Sequence, residues 1–216
     1  MKKIIIVANW KMNPESLVEA KRLFDYVKRG IKGVKNAEVV VCPPFVFLGS
    51  LGANGAQDCF WENRGAFTGE VSPTMLKNLG VEYVIIGHSE RRRYLRETDE
   101  MVNRKLRAAM AAGLKPILCI ANAVQLRKSL RGISEKVIVA YEPVSAIGTG
   151  RPCSIEKARK MRKAINHKVV LYGGSINSEN ALDYVKKAGF QGLLIGGASL
   201  KADEFLKIVK NISQRG

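Results

Sequence analysis

Seven short runs of apolar, largely β-branched residues recur along this chain, each bounded by turn residues: Ile4 to Ala8, Glu38 to Cys42, Tyr83 to Ile86, Pro116 to Ile120, Val137 to Tyr141, Lys168 to Tyr172 and Gly192 to Ile195. A strand reads as an unbroken apolar run when both of its faces are buried, the condition met inside a parallel sheet covered by helices. The stretches between these runs carry apolar residues at helical spacing, as in Leu17, Ala20, Leu23, Phe24 and Val27, then Met101, Leu106, Ala109 and Met110, then Ala181, Leu182 and Val185. Strand and helix thus alternate from end to end, which predicts a parallel α/β architecture.

A shorter run around Ala53 to Gln57 brings the strand count to eight. Spread over 216 residues, this leaves about 27 per strand-helix unit, lean but sufficient for a (β/α)8 barrel. A doubly wound open sheet is the rival. It would carry a glycine-rich turn after its first strand, whereas this chain continues with Asn9-Trp10-Lys11, so the closed TIM barrel is favoured. Phe45 to Ser50 leaves little room for a second helix, and Val124 to Arg131 allows only about two turns for the fifth, so these helical segments are expected to be shortened. With no linker, low-complexity tract or step in composition, residues 1–216 read as a single domain.

No stretch reaches the roughly 18 consecutive apolar residues that a membrane span needs. Met1-Lys2-Lys3 runs straight into a strand-like segment without a signal-peptide core, so a cytoplasmic location is expected. Cys42, Cys59, Cys119 and Cys153 are scattered and, with only His88 and His167, offer no zinc-ligand spacing; reduced thiols and no metal or cofactor are the expectation. A net charge of +17 raises encounter rates with nucleic acid, anionic membranes or phosphorylated substrates alike. Much of it lies in helical stretches such as Lys157 to Lys163 and Lys201 to Lys210, which read as solvated faces. Arg91-Arg92-Arg93 is an exception, but without the aromatic-plus-basic pattern of single-strand binders nucleic acid is not the expected partner.

Barrel chemistry sits at the C-terminal ends of strands, and the polar exceptions fall there: Asn9 and Lys11, His88 and Glu90, Glu142, Ser175, then Gly196 and Gly197. Met alone, a strand-end Glu is more often an ion-pair member than a base, and a lone His more often a hydrogen-bonded core residue. Their setting reverses that weighting. Asn9-Trp10-Lys11-Met12-Asn13, Gly65-Ala66-Phe67-Thr68-Gly69-Glu70, Gly87-His88-Ser89-Glu90-Arg91-Arg92, Ala140-Tyr141-Glu142-Pro143-Val144, Ala146-Ile147-Gly148-Thr149-Gly150, Tyr172-Gly173-Gly174-Ser175 and Gly196-Gly197-Ala198-Ser199 follow one another in order. Over nearly its whole length the chain resembles the triosephosphate isomerase family. Another phosphate-binding barrel isomerase or aldolase would need different catalytic segments.

The resemblance implies interconversion of D-glyceraldehyde 3-phosphate and dihydroxyacetone phosphate through an enediolate, without a cofactor. This enzyme family is one of the standard worked cases of pKa tuning. It implies Glu142 as the base that shuttles the carbon-bound proton, and a neutral His88, held so by a helix N-terminus, as the electrophile. Lys11 and Asn9 would complete the electrostatic side, with Glu90 orienting Lys11. Ser89 reads independently as a helix N-cap and Glu90 as a favourable first-turn charge. The phosphate is expected on Asn9, Lys11, Gly148, Ser175, Gly196 and Gly197, with Ser89, Glu90, Cys119, Tyr172 and Gly174 immediately behind.

Pro143 to Cys153 resembles the family's lid, which keeps water from the enediolate. Its hinges depart from the pattern. Where the family usually has Trp after Pro-Val this chain has Ser145, and where it usually continues Cys-Ile with Gly-Glu this chain has Ala121-Asn122. In the family that Trp and that Glu meet on closure, so losing both removes a latch without stranding a partner, and Pro152 stiffens the far hinge. Retained chemistry with altered lid rates is expected. Gln57 to Pro73 resembles the long loop that inserts beside a partner's active site, which implies a homodimer; the alternative is that Phe60, Trp61 and Phe67 merely cover the local rim.

Overall fold

The computed structural model describes residues 3–133, 137–143 and 151–214. Eight strands, β1 (Ile4–Asn9), β2 (Ala37–Cys42), β3 (Gly55–Ala56), β4 (Tyr83–Ile86), β5 (Lys115–Ile120), β6 (Ile138–Tyr141), β7 (Val170–Tyr172) and β8 (Gly192–Ile195), pair in parallel in the order β2-β1-β8-β7-β6-β5-β4-β3. Helices α1 (Leu17–Gly30), α2 (Phe45–Leu51), α3 (Pro73–Asn78), α4 (Ser89–Tyr94), α5 (Asp99–Ala111), α6 (Ala123–Ser129), α7 (Ile155–Ala164), α8 (Ala181–Lys186) and α9 (Ala202–Ser213) lie between and after them. This is a nearly closed TIM barrel, as the sequence predicted. Among the described residues no helix is long and apolar enough to cross a membrane.

Alternation along each strand builds two cores. Ile6 and Ala8, Val41, Val84 and Ile86, Leu118 and Ile120, Val139, Leu193 and Ile195 belong to the layer shared with the helices. Their neighbours Val7, Val40 and Cys42, Tyr83 and Ile85, Ile117 and Cys119, Ala140, Leu171 and Leu194 form a separate cluster. Because successive side chains on a strand point to opposite faces, this second set fills the barrel interior.

No backbone ladder joins β2 to β3 among the described residues; the barrel closes there through side-chain amides. Asn54 accepts from Val41 N at 3.0 Å and donates to Val39 O at 3.1 Å, standing in for one peptide of a neighbouring strand. Gln57 donates to Cys42 O at 2.8 Å. The strand expected over Ala53 to Gln57 is therefore cut to Gly55–Ala56, since its flanking residues reach across with side chains where a ladder would use backbone.

The two expected short helices are present: α2 and α6 each have seven residues. Asn122 caps α6, its Oδ1 accepting from Val124 N and Gln125 N, each at 3.0 Å. The sequence reading did not single out α3, α4 and α8, which have only six residues each. Pro73 opens α3, and Gly80 in the left-handed region follows its end, so local signals confine it.

A buried ionic cluster ties α4 and α5 to the segment after β3. Lys105 reaches Asp58 at 2.6 Å and Glu97 at 2.5 Å, and Arg91 reaches the same two carboxylates at 2.8 and 2.6 Å. Two cations thus balance two anions, and three of the four side chains are almost fully buried. Removing one charge strands its partners in low dielectric. Lys105→Met is expected to lower unfolding free energy by about 3–5 kcal/mol, read from urea denaturation; a loss below about 1 kcal/mol, the range of a surface pair, would contradict that account.

Candidate active site

The strand alternation that fills the barrel also delivers the polar groups. Counting two residues onward from the interior positions Val7, Ala140, Leu171 and Leu194 reaches Asn9, Glu142, Gly173 and Gly196. All four line one cavity of about 370 Å³, together with Lys11, His88, Gly174, Ser175 and Gly197. The site is the top layer of the barrel core, where apolar side chains give way to polar or missing ones.

His88 follows β4 and occupies the N-cap of α4: its Nδ1 accepts the Glu90 N–H at 3.2 Å, and its Nε2 lies 2.9 Å from Glu142 Oε1. A ring nitrogen that accepts carries no proton, so the hydrogen-bond pattern assigns the proton to Nε2 of a neutral ring. Ser89, expected as the cap, is instead the first helical residue, because the extended backbone and ring of His88 fill the cap position. Its N–H donates to Glu142 Oε2 at 3.0 Å, and its hydroxyl is buried beside the same carboxylate.

Burial pushes the His88 pKa down, but the adjacent Glu142 carboxylate overrides this and leaves it raised. Burial likewise pushes Glu142 up, and His88 with the Ser89 N–H overrides it, leaving Glu142 lowered. These shifts favour an ion pair, whereas the Glu90 N–H aimed at Nδ1 favours a neutral ring. Nδ1 faces both the Glu90 N–H, a donor, and Glu90 Oε2 at 3.4 Å, an acceptor, so its backbone hydrogen bond favours the neutral ring while the two flanking carboxylates favour the charged one. Glu90 adds to the upward pull of Glu142 on the ring.

Lys11 is a non-glycine residue with φ 56°, a conformation that costs about 1–3 kcal/mol and has to be held by its surroundings. Its N–H donates to Asn9 Oδ1 at 3.0 Å, its C=O accepts from Gln57 Nε2 at 2.8 Å, and its Nζ meets Glu90 Oε1 at 2.5 Å. Glu90 is therefore both a first-turn charge and the partner of Lys11. Gln57, which no sequence signal marked for this role, links the barrel seam to the lysine.

Around the far residues, Ser199 is fully buried and donates to Gly196 O at 2.6 Å, and Asn180 donates to Ser175 O at 3.1 Å. Asn177 and Asn180 cap one another's backbone and line the cavity, as do Pro152 and Gly173. The sequence reading missed Gly173, Ser199 and both asparagines as cavity or supporting groups, although Asn-x-x-Asn after Gly-Gly-Ser is a legible turn signal. A Cβ on Gly174 would collide with the Tyr172 hydroxyl, which accepts from Cys153 N at 3.2 Å. The Cys119 thiol, sealed in the barrel beside Glu142, is pushed far up by burial and by that carboxylate. Gly148, Ser145 and the rest of 144–150 lie outside the described residues.

A family model described as triosephosphate isomerase matches residues 4–212. Among curated proteins, the triosephosphate isomerases of Caldanaerobacter subterraneus subsp. tengcongensis, Thermoanaerobacter sp. (strain X514) and Alkaliphilus oremlandii are each 42% identical, with 97% of this chain and 99% of each relative covered. The aligned span of 248 residues exceeds the 216 of this chain, so these relatives carry internal segments that it lacks. Family match, near-complete coverage and barrel together mean that the chain belongs to the triosephosphate isomerase family.

Proposed function

We propose that the chain interconverts D-glyceraldehyde 3-phosphate and dihydroxyacetone phosphate, with Glu142 moving the proton and His88 polarising the carbonyl. The observation that carries this reading is the 2.9 Å contact between the buried Glu142 carboxylate and His88 Nε2 in the cavity that also holds Lys11. Glu142 takes a proton from the carbon beside the carbonyl, and the electron pair moves to the carbonyl oxygen. The Nε2–H of His88 and the Lys11 ammonium stabilise that oxygen. Glu142 then returns the proton to the former carbonyl carbon, while the hydroxyl proton on the first carbon passes by way of His88 Nε2 to the enediolate oxygen, leaving a carbonyl where the hydroxyl stood. Substrate has to displace Glu142 from His88 and Ser89, which turns the imidazole N–H toward the reacting oxygen. Backbone at Gly174, Ser175, Gly196 and Gly197, with Asn9 and Lys11, supplies the phosphate side, joined by Gly148. Cys119 and Tyr172 act from behind, the first against Glu142 and the second against Cys153. We also propose a cytoplasmic, single-domain enzyme.

Dimerisation is part of the same reading. Among the described residues nearly every exposed large apolar side chain lies in the first four strand-helix units, including Met12 (91% exposed), Val46, Phe67 (43%), Met75, Tyr94 and Leu95; Val124 is the exception. An apolar surface confined to one half of a barrel is the pattern of a partner-facing side. Phe60 packs at a tilt against Trp61 and Phe67 at centroid distances of 4.1 and 4.7 Å, so the Gln57–Pro73 loop has a core of its own and can project as a unit.

Three outcomes are expected. Glu142→Gln should lower kcat for glyceraldehyde 3-phosphate by about 10²–10⁴-fold, assayed on purified protein; an unchanged rate would remove Glu142 as base. With only two histidines in the chain, imidazole titration by NMR is direct. Because the Glu142 charge raises the His88 pKa, the same variant should shift it downward, and no shift would break the proposed coupling. Phe67→Asp should move the sedimentation coefficient from dimer to monomer, whereas a wild-type protein already monomeric at micromolar concentration would remove the dimer.

A further inference from the structure

One arginine outside the cavity holds both peptide groups that flank His88. Arg92 lies one helical turn beyond it in α4. Its backbone N–H donates to His88 O at 3.1 Å, and its side-chain Nε donates to Gly87 O at 2.8 Å. The carbonyls before and after the His88 Cα are therefore fixed by the same residue. With both peptide planes set, the direction in which the imidazole leaves the backbone is set as well.

The guanidinium is itself locked from the opposite side. Its Nη1 donates to Asp99 Oδ1 at 2.7 Å and its Nη2 to Ser129 Oγ at 3.2 Å, while Ser129 Oγ donates to the same Asp99 oxygen at 3.0 Å. Ser129, at the end of the seven-residue α6, is fully buried, and Asn103 of α5 donates to its carbonyl at 2.7 Å. Donors and acceptor form a closed triangle on a side chain that is only 13% exposed. The fit on the Gly87 side is equally tight. Gly87 has φ 70°, and a Cβ there would come within 3.0 Å of Arg92 Nη2 and 2.9 Å of Val102 Cγ2. A planar fork with donors at fixed angles can reach Gly87 O, Asp99 and Ser129 together; a lysine ammonium at the end of a flexible stem cannot.

We propose that Arg92 is a positioning residue for the isomerisation, acting through Gly87 and His88, with Asp99 and Ser129 as its anchors. The inference rests on His88 being the electrophile. With the imidazole displaced by a fraction of an ångström, the site still binds substrate through the phosphate but stabilises the developing oxyanion less. The effect therefore falls on kcat and spares KM.

The test compares purified Arg92→Lys, Ser129→Ala, Asn103→Ala and His88→Gln with the wild type, and adds the double variant His88→Gln/Arg92→Lys. Arg92→Lys is expected to lower kcat by about 10- to 100-fold with KM changed less than about threefold, and Ser129→Ala to do the same more weakly. Asn103→Ala loosens the same α5–α6 tether without touching Arg92, and should lower Tm with kcat intact. In the His88→Gln background, Arg92→Lys should cost little more, since the group it positions is gone. Wild-type kcat in a folded Arg92→Lys variant, or a loss equal to that of Asn103→Ala at matched Tm, would overturn the proposal, as would full additivity with His88→Gln. Undiminished activity in His88→Gln itself would instead overturn the assignment of the electrophile.

Discussion

A parallel strand with apolar residues on both faces has to be covered twice, once by helices and once by the other strands' inward side chains. That requirement forces closure, since an open edge would leave one row of backbone groups and one flank of the interior cluster unpaired. Here closure is completed by two amides. Asn54 imitates a strand peptide for β2, and Gln57 spans from Cys42 to Lys11, so the seam and the strained lysine share one side chain. Barrel integrity and the placement of a charged group are thereby one structural event.

Closure also explains why the site is where it is. The interior columns of β1, β4, β6, β7 and β8 end at the C-terminal rim, and there the next inward positions, Asn9, Gly87, Glu142, Gly173 and Gly196, are polar or lack a side chain. Asn9 and Glu142 are nearly as buried as the apolar residues beneath them. A carboxylate at that depth needs partners, and at rest it finds them in the imidazole of His88 and the N–H of Ser89. These contacts offset the desolvation of the buried carboxylate, so its charge is not left unpaired.

The shortened outer ring changes how the rim is supported. With α6 reduced to seven residues, its last residue Ser129 meets Arg92 and Asp99, and a polar triangle braces the His88 turn. On the adjacent side the quartet of Asp58, Glu97, Arg91 and Lys105 joins the segment after β3 to α4 and α5. Two consecutive arginines of one short helix therefore serve two separate networks, one toward the turn that carries the imidazole and one toward the outer packing layer.

The barrel was legible because its rule is local: buried-both-faces strands leave unbroken β-branched runs, and amphipathic helices leave a periodic trace. The catalytic candidates were legible because they break those runs at strand ends, as Glu142 does after Val139, Ala140 and Tyr141. Four things were not. The cap of α4 passed from Ser89 to His88, since which side chain reaches an N–H depends on backbone direction at the end of β4. The third strand shrank to two residues because Asn54 and Gln57 pair across the seam by side chain, and neither residue type announces a partner from 13 to 46 positions away. The resting ring of His88 is pulled upward by Glu142, a contact between residues 54 positions apart that only the closed barrel creates. Arg92, marked in sequence only as part of the Arg91-Arg92-Arg93 run and of the motif that begins at Gly87, turns inward because Gly87, Asp99 and Ser129 converge on it. Sequence by itself determined the elements and the chemical types at their ends; the tertiary structure decided which of those groups meet, because hydrogen bonds and charge pairs depend on distances that folding alone sets.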